Sequence, residues 1–217
     1  CTFRFNTCGS GTGGGVYAIG TNDGTGCDSV FTNCRFEDNQ AISYGGGIFI
    51  RPGNNMTFND CSFTNNTATG EGGGVYNDSS NSTFFNCMFE NNTGTQWGGG
   101  MYNRNSSSPT LTNCTFTGNT AQIYGGGMYN NYSSSPTLTN CTFENNTADG
   151  GNGGGMYNSN SSNPTLTDTT VCGNTPAQIV GTWIDSGGNM INEFCWLDCN
   201  NNGIDDLVDI ANQTSFD

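Results

Sequence analysis

Lysine and histidine are missing altogether, so four arginines (Arg4, Arg35, Arg51 and Arg104) supply all of the side-chain positive charge. Eighteen acidic residues outweigh them and leave a formal charge of −14. Phosphate recognition needs a basic footprint, which excludes a nucleic-acid or anionic-membrane partner. No apolar stretch is long enough to span a bilayer, so no membrane insertion is expected. No N-terminal leader is visible either, and the chain opens at Cys1 partway through a repeat; it reads as a processed or trimmed piece of something longer. Leucine and the strong helix formers are scarce, which argues against leucine-rich and helical repeats.

What the chain has instead is 34 Gly and 34 Asn, nearly a third of its 217 residues. Such a composition without a collagen period would ordinarily mean disorder. Fourteen Phe, eight Tyr and eleven Cys oppose that, provided that they recur where they can be buried together. They do recur. GGGVY (13–17), GGGIF (45–49), GGGVY (72–76) and three copies of GGGMY (98–102, 125–129, 153–157) start 32, 27, 26, 27 and 28 residues apart. In phase with them run NCRFEDN (33–39), DCSFTNN (60–66), NCMFENN (86–92), NCTFTGN (113–119) and NCTFENN (140–146). Phe3, Phe36, Phe63, Phe89, Phe116, Phe143 and Val171 therefore form one column. Cys1, Cys34, Cys61, Cys87, Cys114 and Cys141 form a second, and Asn6, Asn39, Asn66, Asn92, Asn119, Asn146 and Asn174 a third.

A period near 27 built from short β-prone segments bounded by Gly, Asn, Pro and Ser predicts a parallel β-helix of about seven coils, each holding three short strands. One coil is expected to place them near Met101–Asn103, Thr110–Thr112 and Cys114–Phe116. Stacked coils lie about 4.8 Å apart, so identical residues stand over one another. Leu111 and Cys114 both point inward yet are three residues apart, so the chain must turn at Asn113, and Asn tolerates the left-handed conformation this requires. Asn33, Asn86 and Asn140 repeat that corner, with Asp60 and Asp168 as substitutes. The Gly triplets mark a bend that no Cβ would permit. The Ser-rich stretches ending in Pro (106–109, 133–136, 161–164) read as an outer loop, with Pro opening the next strand. In the Gly motif the aliphatic column (Val16, Ile48, Val75, Met101, Met128, Met156) is assigned inside. The aromatic column (Tyr17, Phe49, Tyr76, Tyr102, Tyr129, Tyr157) is assigned outside, where its rings either stack on sugars or stabilise the coil by stacking on one another.

F-x-x-N paired with GG-small-apolar resembles the polymorphic outer-membrane protein repeat of bacterial surface adhesins, over residues 1–192, with a third Gly where that family usually has Ala. The resemblance implies a right-handed all-β solenoid, an extracellular or cell-surface location, and adhesive or scaffolding roles rather than a reaction.

After about residue 192 the composition shifts. Asp198, Asn200, Asn202, Ile204, Asp206 and Asp209 occupy positions 1, 3, 5, 7, 9 and 12 of a loop with Gly203 at position 6, the oxygen-ligand spacing that wraps Ca²⁺. This segment, 193–217, resembles dockerin and thrombospondin type-3 calcium repeats and is expected to form an acidic, calcium-binding tail.

The column cysteines are expected to be buried free thiols, because in-register neighbours hold their Cβ atoms further apart than the roughly 3.8 Å of a disulfide. A metal-thiolate array is the alternative, without a C-x-x-C spacing or a His to support it. Cys8 and Cys27 flank an insertion and are expected to pair, as in an oxidising compartment; among Cys172, Cys195 and Cys199 the favoured bridge is Cys172–Cys195. Twelve N-x-[ST] sequons include Asn55, Asn65, Asn77, Asn105 and Asn131, and in a eukaryote the Ser-rich loop copies are the favoured glycan sites. Thr-x-Thr recurs at Thr110/Thr112, Thr137/Thr139 and Thr165/Thr167, an array that suits ice, although Val30, Asn59 and Phe85 break it in earlier coils. Glu37, Glu90 and Glu144 share one outward column but skip alternate coils, which reads as a solvated face rather than a paired-carboxylate site. The expected role is a secreted or surface structural module, a stalk, fibre or adhesin element. Its expected partners are copies of itself or surface glycans, and it is not expected to be an enzyme. A polysaccharide-binding or polysaccharide-degrading β-helix is the main alternative.

Overall fold

Between one Gly triplet and the next the chain runs straight four times, not three. In the coil that starts at Gly98 the strands are Met101–Arg104, Thr110–Thr112, Thr115–Thr117 and Thr120–Ala121. The computed structural model describes residues 1–9, 11–18 and 28–195, and its strands stack into four parallel sheets of eight, six, seven and seven members. That number of rungs agrees with the expected coil count, and no helix occurs among the described residues. The additional strand is only two residues long. Its inward member is Ala41, Ala68, Gly94, Ala121 or Ala148, kept small by the Gly triplet that passes beside it.

Register is in phase throughout: Phe36 pairs with Phe63, Phe89 with Phe116 and Phe116 with Phe143. The Phe rings form a continuous interior pile, with centroids 4.9, 4.7, 4.9, 4.3 and 4.4 Å apart from Phe3 to Phe143 and planes within 8° of parallel. A second pile (Phe31, Phe58, Phe84) meets it edge-on and continues as Leu111, Leu138 and Leu166. Burying each such side chain contributes about 2–3 kcal/mol against the entropy of ordering the coil. The aliphatic column, Ile48 to Met156, lies in the same core as expected.

The corners follow the sequence. Asn33, Asp60, Asn86, Asn113, Asn140 and Asp168 all have φ between 48° and 55°. Their side chains bond along the axis, for example Asn113 Nδ2 to Asn86 Oδ1 at 3.0 Å. The Gly triplets bend where expected, and the middle Gly also lets backbones approach closely: a Cβ on Gly73 would meet Gly99 O, Thr93 C and Thr93 O, each at 2.5 Å.

The Ser-Pro stretches face outward only at their first residue: Ser106, Ser133 and Ser161 are exposed, as expected, but the next Ser of each is not. Ser107, Ser134 and Ser162 are buried, and each hydroxyl accepts from the backbone of the preceding coil: Ser80 N to Ser107 Oγ, then Ser107 N to Ser134 Oγ, then Ser134 N to Ser162 Oγ, at 3.0–3.1 Å. Ser is small enough to line a tight inner corner while filling a donor–acceptor requirement that an outward loop would leave to water.

Candidate functional site

The Asn column at the corner after each Phe is the most heavily bonded feature. Asn119 illustrates it. Its Oδ1 accepts from Asn92 N (3.0 Å) and Asn92 Nδ2 (2.9 Å), while its Nδ2 donates to Phe89 O and Asn146 Oδ1, both at 2.9 Å. Every hydrogen-bonding position of the amide is filled. The side-chain chain runs Asn6, Asn39, Asn66, Asn92, Asn119, Asn146, Asn174. It closes on Gln178, whose Oε1 accepts from Asn174 N and Nδ2 in place of a further Asn. A second buried ladder, Asn77–Asn103–Asn130–Asn158, links the ends of the Gly-motif strands at 2.8 Å per step. Asn77 Oδ1 has no partner because the preceding rung is Ile50.

The aromatic column does point out of the main core, yet its middle members are covered. Tyr76 and Tyr102 are at most 1% exposed, and they form a second apolar cluster with Phe49 and Tyr129 beneath Tyr44, Trp97 and Tyr157. This corrects the expectation of an external stripe: the residue before each Gly triplet (Tyr44, Glu71, Trp97, Tyr124, Asn152) forms a further column that folds over the rings. Trp97 lies 6.1 and 5.8 Å from Tyr102 and Tyr129, and Tyr124 stacks on Tyr157 at 4.5 Å. Rings so covered stabilise one another and cannot serve as a sugar platform in the middle coils.

One charged group lies in that layer. Glu71 is 6% exposed, its Oε2 is unpartnered, and desolvation raises its pKa, a shift opposed by Arg104 and by the Tyr76 hydroxyl. Arg104 Nη1 donates to Tyr76 Oη at 3.3 Å, and its guanidinium lies over the Tyr132 ring. Burial likewise pushes the Tyr76 and Tyr102 phenols above their usual range. A carboxyl raised in the folded state costs nothing below its unfolded value of about 4.3 and destabilises increasingly as pH climbs to the folded value. Glu71→Gln is therefore expected to stabilise the chain by about 1 kcal/mol at pH 7, with the gain shrinking as pH falls toward about 4.3 and absent below it in urea melts. A constant difference at all pH values would refute this reading of Glu71. Sequence reading missed Glu71, Trp97 and Arg104, because they stand where successive coils differ and a search for identical residues passes over them.

The strands Arg35–Glu37, Ser62–Thr64 and Met88–Glu90 and the corners before them form an open groove of about 610 Å³, lined by Asn33, Arg35, Glu37, Asp60, Cys61, Ser62, Thr64, Asn86, Met88 and Glu90. Its shape follows from side-chain length: Ser62 and Thr64 are short, and the rungs on either side carry Arg35 with Glu37 and Met88 with Glu90. Glu37 is also engaged by Arg4 (3.6 Å) and Arg35 (3.9 Å). Outward Thr110, Thr137 and Thr165 align, as do Thr112, Thr139 and Thr167.

Cys34, Cys61, Cys87, Cys114 and Cys141 are buried free thiols, and Cys172 is bonded to Cys195, both as expected. Cys8 is a free thiol, while its expected partner Cys27 lies outside the described residues. Two sequon asparagines, Asn77 and Asn131, are buried and bonded, which removes them as glycan sites; Asn105 is exposed. The calcium-loop residues Asp198, Asn200, Asn202, Ile204, Asp206 and Asp209 all lie outside the described residues. No helix among the described residues is long and apolar enough to cross a membrane.

No curated protein and no solved structure matches the chain. A family model described as "Right handed beta helix region" matches residues 1–151 and, overlapping them, 86–207. With its four in-register parallel sheets and that match over most of its length, the chain belongs to the right-handed β-helix family.

Proposed function

We propose that this β-helix is a secreted or cell-surface structural module, a stalk, fibre or adhesin element, and that it is not an enzyme. The observation that supports this best is the amide ladder, which passes through every coil from Asn6 to Asn174 without a gap. Coils bonded in this way form a stiff rod whose outward positions stay free for contact with copies of the chain or with surface glycans. A catalytic site in a solenoid needs some coil to depart from its neighbours. Here the outward carboxylates alternate with Thr, and Glu37 is occupied by two arginines. The C-terminal segment joins the proposal through its ligand spacing alone: Ca²⁺ held by Asp198, Asn200, Asn202, Asp206 and Asp209 side chains and the Ile204 carbonyl would neutralise mutually repelling acids.

The test is to image the purified chain by electron microscopy with and without Ca²⁺, and to probe it against immobilised neutral and uronate glycans. Rods or fibres, or glycan retention without cleavage, are expected. Cleavage of any glycan would replace this reading with the polysaccharide-degrading one, and dispersed particles that retain no glycan would remove both the fibre and the adhesin.

A further inference from the structure

The Thr-x-Thr motif, which the scaffold reading leaves unused, is larger in space than along the chain. In the sheet that contains Thr110–Thr112, the middle residue of each strand from Phe31 to Leu166 packs in or against the core, so its two neighbours point outward. Parallel register then sets Thr57, Thr83, Thr110, Thr137 and Thr165 in one outward column. Thr32, Asn59, Phe85, Thr112, Thr139 and Thr167 form the other. Val30, Asn59 and Phe85 each interrupt one column only, because their own rungs keep Thr32, Thr57 and Thr83 in the other. Six successive rungs therefore present at least one Thr, and the last three present two.

Three properties fit this face to a partner that is itself a lattice. Spacing is the first. Rungs about 4.8 Å apart and outward neighbours about 6.6 Å apart along each strand make a regular net, and β-branched side chains are stiff at χ1. The second is free hydrogen-bonding capacity. No group among the described residues bonds to the hydroxyls of these threonines, whereas Thr69 and Thr95 donate theirs to the carbonyls of Ile42 and Ala68. Each free hydroxyl can both donate and accept. The third is charge. Neither column holds a charged residue in a chain of formal charge −14, while the adjacent sheet turns Arg35, Glu37, Glu90 and Glu144 outward.

A dissolved ligand would touch a few of these residues and gain nothing from the rest. A crystal surface meets all of them at once, and an uncharged net of hydroxyls is complementary to an uncharged crystal. We propose that this face binds ice. Water molecules in ice repeat at distances close to both spacings of the net, each Thr hydroxyl donates and accepts as water does, and the methyl groups between them are apolar surface that gains from being covered. A crystalline polysaccharide is the other neutral lattice, but flat sugar rings call for aromatic platforms, and among these outward positions Phe85 is the one ring.

The test grows ice slowly from a solution of the whole chain and compares the protein concentration in the ice with that in the remaining liquid. The chain is expected to be enriched in the ice over a non-binding protein of similar size, and to shape single ice crystals. Thr137→Lys sets on the exposed middle of the face a charge that must shed water to meet ice, and is expected to lower the enrichment about tenfold. Thr117→Lys places the same charge on the adjacent sheet between Glu90 and Glu144, and is expected to leave the enrichment unchanged. Circular dichroism checks the fold of both variants; should Thr137→Lys not fold, Thr110→Lys takes its place. A folded parent that is no more enriched than the non-binding protein overturns the proposal. Equal losses in the two variants overturn it as well, as does retention on crystalline chitin or cellulose without enrichment in ice, which would assign the face to a glycan solid.

Discussion

Asn119→Ala is expected to cost the chain about 4 kcal/mol, enough to unfold the coils around it at moderate temperature. The methyl group takes the place of an amide that fills four hydrogen bonds inside the core. What remains is worse than an empty space. Asn92 N and the Phe89 carbonyl lose their bonds to the amide and Asn92 Nδ2 keeps only its bond to Phe63 O, and each uncompensated group costs about 1–3 kcal/mol. Asn119→Asp should be no milder, because a carboxylate can accept from Asn92 but cannot donate to Phe89 O or Asn146 Oδ1. The comparison that isolates the ladder is Asn113→Gly. That residue is an exposed corner at φ 55° with one axial side-chain bond to each neighbour, and glycine accepts its backbone without strain. Urea denaturation of the two variants should differ by about 3 kcal/mol; similar midpoints would mean that the interior amides contribute no more than the surface ones.

Gly73→Ala is the second severe change, and it acts through sterics alone. The new Cβ would stand 2.5 Å from three backbone atoms, of Gly99 in the next coil and Thr93 beside it. A flexible side chain could swing away, but here the obstacles are strand backbones held on both sides by axial bonds, including Gly74 N to Gly99 O at 3.0 Å. Relief requires prising two coils apart, with a cost of about 4 kcal/mol or more. Soluble yield and hydrogen exchange of the Thr93–Gly99 segment would report it. A variant with parental stability would show that neighbouring coils slide past each other more freely than their bonding implies.

Much of this was legible from the period alone. Once Phe89, Phe116 and Phe143 are known to be equivalent, an in-register solenoid buries all three, and the three-residue step from Leu111 to Cys114 forces the left-handed corner found at Asn113. Of the three C-terminal cysteines Cys172 and Cys195 were the favoured pair, and they are bonded. The fourth strand was not legible, since two residues such as Thr120–Ala121 are too few to show alternation. Ser107 misled for a different reason. Polar residues are ordinarily assigned to the surface, yet where one coil repeats the next a polar residue has a copy of itself about 4.8 Å away to bond with, which offsets the usual cost of burial. The layer over the tyrosines was illegible because Tyr44, Glu71, Trp97 and Tyr124 share a position without sharing a chemistry.

The two interior ladders run one way, opposite to the exposed corner ladder in which Asn113 donates to Asn86 and Asn140 to Asn113. From Asn6 to Asn174, and again from Asn77 to Asn158, the N–H that links one amide to the next points toward the later coil and each amide carbonyl toward the earlier one. Group dipoles aligned head to tail add, as they do along an α-helix. Each interior ladder is thus electrically polar along its length, with its negative pole toward the earlier coils and its positive pole toward the later ones, and the corner ladder opposes it. Two interiors of this kind laid side by side would attract when antiparallel and repel when parallel, a bias that shortening the exposed corner amides Asn86, Asn113 and Asn140 would strengthen.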